Sequence, residues 1–363
     1  MKLTGSSLSV IKLPYPRPVK WKDTVEDGTV FGLLRLHTDD GLEGVSEGTI
    51  RPTWNGASPG SLRAAIDEIF LPMLRNVPID DPALVRRVLS SVPDNRLAKA
   101  MIDNACWDLR ARAAGKPLWR LWGGPGVLPI SWTVTREAPA KMAAEAVDMI
   151  GRHGFRTLKI KGGQGIDVDR AAIRAIRAAA GPTVPLYVDA NAAYTAEETP
   201  AYLRMLADEG STHAEDPCDM RPNAWFRETN RSSPLPLLVD TRCTSPEDAE
   251  LFLEQGAKAI GIKPPRMGAT AALAIARMAE AAGCDVHVGL NSESALGTLA
   301  SLQVAAAFPR RAGTLPAEPS FFLTIAGTIL DRTLEIRDGS IALPDEPGLA
   351  ALVDWKAVAR YAV

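Results

Sequence analysis

The sequence predicts an α/β fold: a closed parallel β/α barrel from about Leu128 onward, preceded by an α+β segment that fills the first third. Three observations predict it. Seven short β-rich runs, PISWTV, RTLKIK, PLYVDA, STHAED, PLLVDT, KAIGIK and CDVHVG, alternate with Ala-rich amphipathic stretches. Comparable strand positions, Leu158, Val188, Ala214, Val239, Ile262 and Val288, recur every 23 to 30 residues, the length of one strand, one helix and two short loops. Seven such units in succession favour a closed parallel barrel over an open doubly wound sheet. No GxGxxG or GxxxxGK[ST] follows any run, so neither a dinucleotide nor a P-loop phosphate site is indicated.

Ahead of the barrel, residues 28 to 48 read as two strands joined by Asp39-Asp40-Gly41, because Asp-Gly supplies the positive φ of a tight hairpin. A Pro- and Gly-containing stretch runs from Arg51 to Gly60, and residues 61 to 75 then show helical periodicity. Leu97 to Ala114 is a second helix, ended by Gly115 with Pro117 just beyond.

The chain has 363 residues, of which 46% are hydrophobic and 23% charged, a mixture that supports packed cores and excludes wholesale disorder. Lys plus Arg number 41 against 43 Asp plus Glu, with no basic run to track phosphates, so a nucleic-acid partner is not expected. The N-terminus lacks a secretory h-region, no stretch approaches the length of a membrane span, and a cytoplasmic location without membrane partners is expected. Cys106, Cys218, Cys243 and Cys284 form no CxxC pair and read as free, buried thiols.

In a β/α barrel the reacting groups sit at the C-terminal ends of the strands. Asp189, Glu215 and Asp240 end three successive runs. One such acid is commonly a helix N-cap. Three in consecutive units suit a hard divalent cation, Mg²⁺ with Mn²⁺ as a substitute, which leaves coordination positions for a substrate carboxylate. Lys159 and Lys161 are two apart and so share a strand face, while Lys263 ends the strand four units later, across a ring of about eight. Lysines on an inward face are expensive to bury unless they serve something. A neighbouring cation disfavours the charged form of an ammonium, so Lys159 is expected to help Lys161 act as a base.

In order and spacing, KIK at 159–161, VDAN at 188–191, AEDP at 214–217, LVDT at 238–241, GIKPPRMGA at 261–269 and VGLNSES at 288–294 resemble the enolase superfamily. The likeness is to its muconate-lactonizing-enzyme-like subgroup, within the mandelate racemase/muconate lactonizing enzyme family. Residues 101–124 are similar to the stretch leading from that family's capping domain into its barrel. The resemblance implies a modified TIM-type (β/α)7β barrel at 126–320, an α+β capping domain at 1–125 and a C-terminal segment, 321–363, returning to the cap. It assigns Mg²⁺ to Asp189, Glu215 and Asp240, makes Lys161 and Lys263 the acid/base pair tuned by Lys159, and places Glu293 near the site. The shared chemistry is removal of the proton α to a carboxylate, giving an enediolate stabilised by the metal. Two departures are Thr241-Arg242 after the third ligand and Gly268-Ala269 in place of paired glycines. The Asp-x-Asp of dipeptide epimerases is absent from residues 314–322, TLPAEPSFF, where Glu318 alone remains to hold a cation.

Substrate contacts are expected from Asn191, from Tyr15, Lys20 and Trp21 in an early loop, and from Thr53, Trp54 and Asn55 after the hairpin. His287 reads as a strand-interior histidine; His213 shares the face of Glu215 by alternation. The expected activity is racemisation or epimerisation of a small carboxylate, an N-acyl, N-alkyl or proline-like amino acid, by an enzyme expected as a homo-oligomer (dimer or octamer). Elimination of water from a hydroxy acid or hydroxyproline and lactonizing cycloisomerisation are the alternatives, followed by a Schiff-base lyase.

Overall fold

The computed structural model describes residues 1–20, 24–308 and 315–363. The first third forms an antiparallel sheet in the order β1 (Leu3–Lys20), β2 (Val25–Thr38) and β3 (Glu43–Ile50). The hairpin lies where Asp39-Asp40-Gly41 places it: Leu36 pairs with Gly44, His37 pairs with Glu43, and Gly41 has φ 78°, open to glycine without steric penalty. Tyr15 corrects the sequence reading, since it lies within β1 and not in a loop. Pro14, Pro16 and Pro18 disguise the strand. An edge strand tolerates them, and the pairing of β1 with β2 is interrupted between Pro14 and Val19.

The helix expected at 61–75 is three consecutive pieces, Pro59–Ala64, Ala65–Phe70 and Leu71–Leu74. The middle piece is a wide turn in which the Leu71 amide reaches the Ile66 carbonyl, just before Pro72, which has no N–H to give. The second helix, Arg96–Ala113, packs on β3. Glycines permit that approach: a Cβ on Gly48 would lie 2.5 Å from the Met101 sulfur, and one on Gly44 would collide with the Ala105 carbonyl. Leu34, Leu36, Ile66, Phe70, Met101 and Leu109 form a core belonging to this layer.

All seven expected runs contribute parallel strands: β5 (Trp132–Val134), β6 (Leu158–Lys161), β7 (Leu186–Asp189), β8 (Ala214–Glu215), β9 (Leu237–Val239), β10 (Ala259–Ile262) and β11 (Asp285–Val288), neighbours in chain order. A helix follows each of them. Before them, β4 (Val127–Pro129) joins a separate small sheet with two short strands near residue 340. The eighth place in the ring is filled by two residues. Ser131 N–H donates to the Ala317 carbonyl at 2.9 Å, and Glu318 N–H donates to the Val288 carbonyl at 2.8 Å, so this segment bridges the two edges of the sheet. Pro316 and Pro319 flank it and prevent a longer ladder. In the resulting ring of eight, β6 and β10 stand opposite each other.

The C-terminal segment returns to the first sheet: Lys12 N–H donates to Tyr361 O at 2.9 Å and Val363 N–H to Val10 O at 3.0 Å. All four cysteines are buried and form no disulfide. No helix among the described residues is long and apolar enough to cross a membrane.

Candidate active site

Strand register assembles the acidic arc. Lys161 pairs with Asp189 and Asp189 with Glu215 across adjacent strands, while Asp240 follows β9 directly. All three carboxylates are buried. None is a helix N-cap: the helices that follow begin at Thr199, Ala224 and Pro246, with Glu198, Asn223 and Ser245 at their caps. The bland reading of these acids is thereby removed.

The lysines meet this arc from below and from both sides. Lys159 Nζ, 1% exposed, lies 3.0 Å from Asp189, 2.8 Å from Glu215 Oε2 and 2.9 Å from Glu318. Burial opposes its charge, yet Asp189, Glu215 and Glu318 hold the ammonium well above its ordinary value. Lys161 Nζ lies 2.6 Å from Asp189 Oδ2, and Lys263 Nζ 2.5 Å from Asp240 Oδ2. Both lysines keep part of their side chains exposed. Burial works against Lys263 as well, but Asp240 raises it.

The carboxylates respond in different directions. Burial opposes ionisation of Asp189, which Lys159 and Lys161 nevertheless hold well below the usual range. Asp240, also buried, is brought down to about 2 by Lys263 and Arg266. Glu215 goes the other way: burial and the neighbouring charge of Asp189 push it well above the usual range.

Among the described residues no three His, Cys, Asp or Glu side chains converge on a single metal-ligand point. The convergence expected from the sequence is incomplete because each carboxylate is turned onto an ammonium or guanidinium group. The donor set nevertheless fits a hard divalent cation. Three buried carboxylates stand on adjacent strands, and Glu215 Oε2, though close to Lys159, receives no well-directed hydrogen bond.

Asn191 sits at the rim with φ 50°. Its amide donates to Asp189 Oδ1 at 2.8 Å, and its Oδ1 accepts from Arg136 Nη2 at 3.1 Å. Glu293 is buried in the turn after β11, accepts from the Asn291 amide at 2.7 Å and from Ser301 Oγ at 3.2 Å, and is pushed up to about 7 by burial. Tyr15 is buried, bonds Thr29, and packs edge-on against Phe321 at 5.7 Å. Trp54, 42% exposed, is covered by the Arg51 guanidinium at 3.8 Å, and Thr53 and Asn55 share its short helix, Pro52–Asn55. Lys20 is exposed at the end of β1; Trp21 lies outside the described residues. His287 is a buried strand residue, 3.3 Å from the Tyr187 hydroxyl and 3.5 Å from Glu318. His213 is buried too, and burial with His287 nearby lowers it to about 4.

Three residues carry more of the site than the sequence shows. Glu318 does not hold a free cation site: its carboxylate is engaged by Lys159, by Thr133 Oγ1 at 2.8 Å and by the Leu290 amide at 3.2 Å. Arg136, just after β5, is buried and donates to the Gly162 carbonyl at 2.6 Å and to the Ala190 carbonyl at 3.4 Å, joining the loops after β6 and β7. Arg266 donates to Asp240 Oδ1 at 3.0 Å. Lone arginines after strands give no period or motif to read.

The family model described as Enolase C-terminal domain-like matches residues 141–357, more than half of the chain, and the Mandelate racemase / muconate lactonizing enzyme, N-terminal domain model matches residues 7–123. The chain belongs to the mandelate racemase/muconate lactonizing enzyme family. Within that family it is 28% identical to muconate cycloisomerase 1 of Acinetobacter baylyi over 95% of both chains. It superposes on a Pseudomonas fluorescens muconate lactonizing enzyme complexed with muconolactone, TM-score 0.92 and 28% identity, over 100% of this chain and 99% of the other. The L-Ala-D/L-Glu epimerase of Bacillus subtilis matches with TM-score 0.89 and 27% identity over 96% and 98% of the two chains.

Proposed function

We propose that this chain is an isomerase acting at the carbon α to a carboxylate, and that its reaction is lactonizing cycloisomerisation of a small unsaturated dicarboxylate. The observation that carries the reading is the placement of Lys161 and Lys263 at the ends of β6 and β10, on opposite sides of the ring, above three buried carboxylates. In this proposal the capping domain is 1–125, the barrel 126–320 and the returning segment 321–363.

Asp189, Glu215 and Asp240 are the residues that would hold Mg²⁺. When bound, the ion supplies positive charge to the substrate carboxylate as negative charge develops on it. One of the two lysines delivers or removes the α-proton, according to the face presented, and the other stays protonated and electrostatic. Lys159, locked by three carboxylates, keeps the floor of the site from collapsing. Asn191, fixed by Asp189 and Arg136, is placed to orient the substrate, with Tyr15, Trp54 and Glu293 closing the surroundings from the cap side and the β11 loop.

Cycloisomerisation stands first because the muconate cycloisomerase and the muconolactone complex match nearly the whole chain. Racemisation or epimerisation stands second. Two opposed lysines also suit removal of a proton from one face and its return to the other, and an epimerase superposes almost as well. A dipeptide substrate is disfavoured because the carboxylate of Glu318 is already taken up within the floor of the barrel. A homo-oligomer remains part of the proposal.

Proton NMR in D₂O with Mg²⁺ tests the reading. With cis,cis-muconate and chlorinated muconates, vinyl signals giving way to lactone signals bearing one deuterium α to the carboxylate is the expected result. Loss of the α-proton from N-acyl amino acids or dipeptides, with muconates untouched, would move the chain to the second reading. New keto signals from hydroxyprolines or sugar acids would make it a dehydratase.

A further inference from the structure

A cavity of about 370 Å³ lies where the capping layer meets the barrel helices that follow β9 and β10. The helices Pro82–Ser90 and Arg96–Ala113 form one wall; the starts of Pro246–Glu254 and Ala269–Ala281 form the other. Its lining is basic. Arg86, Arg96, Lys99 and Arg266 face two acids, Asp103 and Glu247.

These cations are poorly matched. Arg96 donates to the Thr244 hydroxyl at 2.9 Å, and Lys99 to the Val92 carbonyl. Neither forms an ion pair with a described carboxylate. Arg86 pairs loosely with the exposed Glu247, at 3.7 Å, and its charge also acts on Asp103. Asp103, the buried acid of the lining, has both oxygens engaged by the amide and hydroxyl of Thr270 at 2.8 and 2.6 Å; burial pushes it up to about 6, with Arg86 acting the other way. Arg96 and Lys99, three apart on one helix, repel each other, and burial together with Arg96 lowers the Lys99 ammonium. Arg266 at the back wall has a buried Nε without an acceptor.

We propose that this cavity binds a small dianion, a phosphate group or a dicarboxylate, held by Arg86, Arg96 and Lys99. A dianion supplies the acceptors these groups lack, and charge-assisted bonds to carboxylate or phosphate oxygens are the strong ones. The site is separate from the acidic arc and does not depend on the reaction assigned there. Arg266 links it to the arc, since its Nη2 also donates to the Asp240 main-chain carbonyl at 2.9 Å and to Asp240 Oδ1 at 3.0 Å.

Calorimetric titration and thermal unfolding of the full chain with inorganic phosphate and with succinate, at ionic strength fixed by sodium chloride, test the proposal. Saturable binding is expected in the wild type and in Lys161→Ala. It should weaken about tenfold or more in Arg96→Gln/Lys99→Gln and also in Arg86→Gln, which alters a different helix and serves if the double variant fails to fold. Binding of phosphate alone, or of succinate alone, with this dependence supports the site and identifies its ligand class. Binding lost only in Lys161→Ala places the anion in the barrel mouth and overturns the proposal, as does binding indifferent to all three cations, or no effect beyond that of chloride.

Discussion

Lys159 Nζ and Glu318 Oε1 lie 2.9 Å apart, joining the second strand of the barrel to the two-residue segment that closes it. Neither side chain is more than 1% exposed. The pair is therefore both part of the candidate site and the seam of the ring.

Glu318→Gln tests that seam. The glutamine keeps the shape and one acceptor for Thr133 or Leu290, but it removes a negative charge from a buried ammonium. Breaking a buried pair from one side is destabilising by about 3–5 kcal/mol; here Asp189 and Glu215 remain beside Lys159, so the lower end is expected. Thermal unfolding should show a clearly lowered Tm with the far-ultraviolet circular dichroism unchanged. An unaltered Tm would mean that the backbone bonds of Ala317 and Glu318 close the barrel without help.

Lys161→Ala and Lys263→Ala should each reduce turnover by about 10²–10⁴-fold, the range for loss of a positioned acid or base. Both should still be stabilised by Mg²⁺ and lose that stabilisation with EDTA, because Asp189, Glu215 and Asp240 are untouched. Steady-state kinetics beside a Mg²⁺ titration of Tm separates the two effects. Full activity in either variant would sink the opposed-lysine reading.

Much of this arrangement was legible before any coordinates. Every barrel strand lies on a short β-rich run whose regular spacing marks it, because strands covered on both faces favour continuous apolar stretches. The acids and lysines were legible for the same reason: a charged residue at the end of such a run stands out. What was hidden lacks a period. The strand carrying Tyr15 is masked by prolines that only an edge position accepts, and the segment of Glu318 is too short to show alternation. The pairing of Arg136 with the loops after β6 and β7, and of Arg266 with Asp240, arises from contacts 26 to 55 residues apart in sequence. No local pattern encodes these.

Glu47 gives stability a pH dependence. It lies on β3, buried, accepts from the Ser294 amide at 2.9 Å and from the Ser294 hydroxyl, and is pushed from 4.5 to about 7, first by burial, with Glu293 adding to the effect. The folded chain thus keeps this proton where the unfolded chain has lost it. Stability falls as pH rises from about 4.5 to about 7 and levels off above, a contribution on the order of 3 kcal/mol. Glu47→Gln, which cannot ionise, should flatten Tm between pH 5 and pH 8 relative to the wild type. Parallel Tm curves for the two proteins would show that Glu47 ionises freely in the folded state.

Gly289 follows β11 and faces Lys263. A Cβ there would lie 2.8 Å from Lys263 Cε and 3.4 Å from Glu318 Oε2, so the absence of a side chain makes room for the ammonium arm. The nearest atom is near the far end of a flexible chain, and the arm moves aside more readily than the backbone deforms. Gly289→Ala should therefore leave Tm close to that of the wild type while kcat falls, because Lys263 is displaced from its bond to Asp240 and from the place where a proton must be exchanged. A displacement of about 1 Å is enough to lower turnover by about 10²-fold. If kcat were unchanged and Tm fell instead, the glycine would be serving the packing of the barrel, and Lys263 would not depend on it for its position.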